Sequence, residues 1–183
     1  MQVVVKKEII SGFSSRVLRV EKRINPELCV NSKELACNHS ELAKRETNDC
    51  VVRAFMSALD LTYDQSHAWV KKYLKRQDRR GAYTYNFLSN ILGKVKNGFE
   101  IQMYGLSPSH AWMMNKVNIL TNPKYKKPTG YTISSFIENH PTGRYFMVVE
   151  GHAVAVINGK LYGNTDDFLS RINRRVHYVI KCK

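Results

Sequence analysis

Two residues stand out for the chemistry their types and settings allow. Cys50 follows Thr47, Asn48 and Asp49, three consecutive residues suited to cap a helix. A thiol attacks carbonyl carbon well only as a thiolate, and a helix N-terminus lowers a thiol's pKa through its partial positive charge. About a hundred residues on, His152 follows Gly151 at the head of an apolar run, Ala153 to Ile157. An imidazole there could act as the base, with the run anchoring it in a sheet. A third group must orient that ring. Asn164 and Asp166, just past Tyr162, are the candidates. A lone cysteine is most often a small hydrophobe, and a lone strand histidine is most often structural. The order Cys, His, then Asn or Asp lifts the three above that background.

Around Cys50 the apolar residues Val52, Phe55, Met56 and Leu59 fall at i, i+3, i+4 and i+7, so a helix is expected to start near the cysteine. A second helix should follow Thr62, with Trp69, Val70, Tyr73 and Leu74 inward. A third reads from Phe87, Leu88, Ile91, Leu92 and Val95, stopping near Gly98. Residues 105–130, with Pro108, Pro123 and Pro128, read as irregular. A short helix over Ile133, Phe136 and Ile137 comes next, then a turn at Pro141-Thr142-Gly143. The last third turns to strand chemistry. Arg144 to Glu150 and Ala153 to Ile157 are β-type runs. Asn158-Gly159 before Lys160-Leu161-Tyr162 is a hairpin turn, since both residues tolerate positive φ. Val176 to Cys182 alternates as a final strand. Helices first and an antiparallel sheet later make an α+β domain over 46–183. Residues 1–45 read as a basic N-terminal extension packed onto it, with a strand hint at Val3 to Val5 and Ile9 to Ile10.

Two stretches carry a resemblance. Asn48 to Ala54 (NDCVVRA) and Gly143 to Tyr162 (GRYFMVVEGHAVAVINGKLY) resemble the nucleophile and histidine segments of small papain-like cysteine-peptidase-type proteins, many of them encoded by bacteriophages. The likeness runs from Thr47 to near Val179. It implies a papain-like fold and thiol chemistry on an acyl group, with Cys50 as nucleophile and His152 as base. Two departures accompany it. Such proteins commonly carry an aspartate directly after the tyrosine of the second hairpin strand, where this chain has Gly163. No glutamine stands a few residues before Cys50 to build an oxyanion hole, so Asn48 or the Cys50 backbone N–H is expected to serve.

Composition adds a second line. The net charge is +14 and the pI about 9.7, which favours an acidic partner: nucleic acid first, an acidic protein second. The run Lys71, Lys72, Lys75, Arg76, Arg79 and Arg80 is the leading candidate for contact, alongside Lys124 to Lys127 and Arg171 to Arg175. A basic helix face is also often just solvated. Four cysteines in 183 residues are too few for a disulfide framework. Cys29, Cys37 and His39 lack finger spacing and a fourth ligand, so neither metal nor cofactor is expected. His67 and His177 read as surface or interface residues, and His110 and His140 as unpartnered loop residues. No run reaches the roughly 18 apolar residues of a membrane span, and no export signal opens the chain, so a cytoplasmic protein is expected, in the host cytoplasm or virion if phage-encoded. The expected function is a cysteine hydrolase acting on a peptide or protein substrate. The competing expectation is a catalytically silent basic module on the same scaffold, binding nucleic acid or a host or virion assembly.

Overall fold

The computed structural model describes residues 26–106, 130–169 and 171–183. After a 3₁₀ turn the chain forms β1 (Cys29–Asn31), α1 (Ser32–His39), α2 (Glu41–Arg45), α3 (Cys50–Ala58) and α4 (Tyr63–Leu74). A second 3₁₀ turn, Thr84–Asn90, leads to β2 (Val95–Lys96) and β3 (Phe99–Leu106). Then come α5 (Ile133–Asn139), β4 (Arg144–Val149), β5 (His152–Ile157), β6 (Lys160–Gly163), α6 (Thr165–Phe168) and β7 (Val176–Cys182). Among the described residues the sheet has seven strands in the order β1-β6-β5-β4-β7-β3-β2. All neighbours are antiparallel except β1 and β6. The fold is mixed α and β, helices first and most of the sheet later, compatible with the α+β expectation.

Strand alternation divides the core. From β4, Phe146 and Val148 face α3 and α4, while Tyr145, Met147 and Val149 face α5. Phe55 of α3 stacks on Phe146 at 4.0 Å between ring centroids and meets Trp69 of α4 at 5.1 Å. Ala153 and Ala155 of β5 lie on the α3 side. Their small side chains let the helix come close to the strand that begins at His152.

The hairpin at Asn158-Gly159 forms as expected, with φ of 48° and 78°. The helices after Thr62 and over Ile133 to Ile137 also form. The helix expected over 87–95 does not. Its residues form the 3₁₀ turn and β2, which turns into β3 at Asn97-Gly98, both with positive φ. That pair is the same hairpin signal as Asn158-Gly159, and it outweighs the apolar spacing. Residues 26–45 are part of the same sheet and core as the rest of the domain. β1 pairs with β6, and the Ser32 hydroxyl donates to the Gly163 carbonyl, so the sheet crosses the division expected at residue 45. The strand hint at 3–5 and 9–10, His110 and Lys124 to Lys127 lie outside the described residues. No helix among the described residues is long and apolar enough to cross a membrane.

Candidate active site

Cys50 is the first residue of α3, and Asp49, its N-cap, makes no side-chain capping bond. The Asp49 carboxylate is engaged elsewhere. It accepts from Arg53 Nε at 2.9 Å and Tyr63 Oη at 2.8 Å, with Lys33 Nζ at 3.4 Å. The first-turn N–H groups of α3 are therefore left uncapped by that side chain, beside the thiol. A two-residue turn, Glu150-Gly151, with Gly151 at φ 65°, starts β5 at His152. This places the imidazole against Cys50.

His152 and the Cys50 thiol shift each other's titration through hydrogen-bonding and charge interactions, and the Ala153 backbone N–H also favours the thiolate. On its other side, His152 Nε2 donates to Asp167 Oδ2 at 2.8 Å. Since Nε2 is used there, Nδ1 is the ring nitrogen available to the thiol. Asp167 is fully buried, and the same Oδ2 accepts the Asn164 backbone N–H at 2.7 Å. Burial alone would push the Cys50 thiol up. The His152 hydrogen bond and charge, the Ala153 N–H and the Arg53 charge outweigh it and hold the thiol below its ordinary value. Burial likewise opposes a charged imidazole, but Asp167 and Cys50 raise His152 to about 9. Asp167 is held low, burial being outweighed by the His152 bond and charge. These directions describe a thiolate–imidazolium pair braced by a carboxylate.

Sequence order points to Asn164 or Asp166 for the third position, whereas the group bonded to His152 is Asp167. Asp166 is exposed and lies near Arg171. Asn164 serves a different contact: its Oδ1 accepts from Arg53 Nη1 at 2.7 Å. Arg53 also bonds Ser32 Oγ at 2.9 Å, and through Asn164 it ties the cysteine's helix to the start of α6, which carries Asp167. Gly163, where an aspartate was expected, explains the replacement. A Cβ there would stand 2.8 Å from Asp167 Oδ2. The missing side chain makes the space into which a carboxylate from four residues later folds. One signal could have revealed it: Asn164-Thr165-Asp166-Asp167 follows a capping-box spacing, and its acidic half forms, the Asp167 carboxylate accepting the Asn164 N–H.

Asn48, the expected oxyanion donor, has φ 53° and donates its side-chain amide to the Arg79 carbonyl at 3.2 Å. The Cys50 N–H and its neighbours in the first turn of α3 remain the donors beside the sulfur.

The basic run that begins in the last turn of α4 is not one surface. Arg76 is buried. Its Nη2 bonds Glu46 Oε2 at 2.7 Å, and its Nη1 donates to His67 Nε2 at 3.0 Å. Arg76 therefore cannot serve as a surface contact, and His67 is a buried partner rather than a surface residue. Lys71 pairs with Asp78 at 2.8 Å. Lys72, Lys75, Arg79 and Arg80 are exposed. Glu46, His67 and Asp78 bring three metal-type ligand atoms within 4.8 Å of one another. The Arg76 guanidinium already occupies two of them with its hydrogen bonds and positive charge. His140 is not unpartnered: Tyr104 Oη lies 2.8 Å from its Nε2, and Phe136 O lies 2.9 Å from its Nδ1.

Comparison of the chain with protein-family models, with curated proteins and with solved structures gave no match.

Proposed function

We propose that this chain is a papain-like cysteine hydrolase that cleaves an amide or peptide bond. The observation that supports this reading best is the series Cys50, His152 and Asp167 at an open helix N-terminus, with the thiol held low and the imidazole held high. The Cys50 thiolate attacks the substrate carbonyl carbon, and the carbonyl π pair moves onto oxygen. The α3 first-turn N–H groups stabilise that oxyanion. The tetrahedral intermediate collapses with cleavage of the C–N bond, and His152 Nδ1 gives its proton to the departing amine. Water then attacks the thioester, with His152 taking its proton, and releases the acid and the thiolate. Asp167 holds the ring orientation and stabilises its charged form throughout.

The test uses p-nitrophenyl acetate, an activated ester that needs no knowledge of the natural substrate. Intact-mass measurement should show one acetyl group, mapped to Cys50, and His152→Ala should abolish it. A wild-type chain that neither carries the acetyl group nor releases p-nitrophenolate faster than His152→Ala would support the competing reading, a silent scaffold, and overturn this one.

A further inference from the structure

Away from the thiol, Lys72, Tyr73, Lys75, Ser89, Asn90 and Lys94 line an open depression of about 500 Å³. The Lys72 and Lys94 ammonium groups lie 5.2 and 5.1 Å from the Tyr73 ring centroid. Asn90 Nδ2 donates to the Tyr73 carbonyl at 3.0 Å, which joins the end of α4 to the 3₁₀ turn and fixes the floor. Lys75, at φ 54°, ends the helix.

The charge here is uncompensated. No carboxylate lines the depression, and none of its three lysines enters an ion pair among the described residues. The contrast with their neighbours is local. Lys71 is turned to Asp78, and Arg76 is buried on Glu46. The α4 C-terminus favours cations nearby, which accounts for Lys72 and Lys75. It does not account for Lys94, which a separate segment brings to the same ring. Ammonium groups that line one depression without a carboxylate repel one another, and an anion bound among them removes that cost.

The lining also limits the anion's kind. Lysines act as point charges toward phosphate. The Tyr73 ring is the one large apolar side chain in the lining, too little to enclose a peptide side chain. Two ammonium groups already occupy the neighbourhood of its ring, which leaves it poorly placed to stack a base. Such a surface suits repeated phosphates read by charge alone. We propose that this depression binds the phosphate groups of a nucleic-acid strand without reading its sequence.

The test is fluorescence anisotropy of the full chain with a labelled single-stranded DNA of mixed sequence, over a series of salt concentrations. Lys72, Lys75 and Lys94 are changed together to glutamate. Each phosphate neutralised on a single strand contributes about −0.7 to the log–log salt slope, so loss of three contacts should flatten it by about 2. A control variant changes the exposed Lys44, Lys160 and Lys183 to glutamate, an equal change in net charge. It should flatten the slope by less than half as much. Inorganic tripolyphosphate should compete with the strand, whereas poly-glutamate at equal charge should compete at least tenfold more weakly. The proposal is overturned if the wild-type chain does not bind. It is also overturned if the two triple variants lose equally, which would indicate bulk charge. Equal competition by poly-glutamate, which would point to an acidic protein partner, overturns it too.

Discussion

Replacing Gly163 with alanine should uncouple His152 from Asp167 through a single methyl group. The new Cβ would stand 2.8 Å from Asp167 Oδ2, 3.1 Å from Val154 Cγ1 and 3.2 Å from Asp167 Cβ, where ordinary contact begins at 3.4 Å. The carboxylate must retreat by the difference, 3.4 − 2.8, or about 0.6 Å. It has little room, being fully buried and held by bonds of 2.8 Å to His152 and 2.7 Å to Asn164. A retreat of that size along either bond stretches it to about 3.3–3.4 Å, beyond the charge-assisted range. Overpacking of this kind costs about 1–3 kcal/mol. Urea denaturation should show that loss. An NMR titration of the His152 ring should show its pKa falling from about 9, because the hydrogen bond to Asp167 is the largest single influence that raises it. Gly81→Ala, whose Cβ meets nothing within 4 Å, is the control and should change neither. An unchanged His152 titration in Gly163→Ala would refute the argument that Gly163 makes the space for the orienting carboxylate.

Three further outcomes are expected from the same geometry. Asp167→Asn should lower turnover at least tenfold and move the alkaline limb of the pH–rate profile, expected near 9 as His152 loses its proton, to lower pH. Asp166→Asn, at an exposed position, should do neither. Arg76→Met should cost about 3–5 kcal/mol in chemical denaturation, because it leaves the Glu46 carboxylate buried without its partner. Arg53→Met should likewise destabilise the fold, and it should slow Cys50 alkylation near pH 6, since the guanidinium both favours the thiolate and ties α3 to Asn164.

The places of Cys50 at a helix start and of His152 at a strand start are legible in the sequence because their signals are local. Capping residues before Cys50, apolar spacing after it and a strand beginning at His152 all fall within a few positions of the residue concerned. Asp167 is not legible by strand logic. That logic looks along the continuation of β6, but the chain leaves the sheet after Gly163 and makes a helical turn, which brings a residue one position beyond Asp166 back over the glycine. Gly163 is itself the space that admits the Asp167 carboxylate. The buried Glu46–Arg76 pair spans 30 residues, and at that separation a charged side chain reads as surface. β2 and β3 are hidden for a different reason. Apolar residues from Phe87 to Val95 satisfy helical spacing, yet Asn97-Gly98 sets a hairpin just beyond them.

The most direct test of the central claim is the rate of Cys50 alkylation by iodoacetamide as a function of pH, read by peptide mass spectrometry. In the wild-type chain Cys50 should be labelled rapidly near pH 6, where an ordinary thiol with a pKa of about 8.5 hardly reacts. Cys29 and Cys182, pushed up by burial to about 11 and about 12, should stay unlabelled there. His152→Ala should shift Cys50 labelling into the alkaline range of a free thiol. A wild-type Cys50 that reacts near pH 6 no faster than its His152→Ala counterpart would contradict the thiolate–imidazolium pair and the hydrolase built on it.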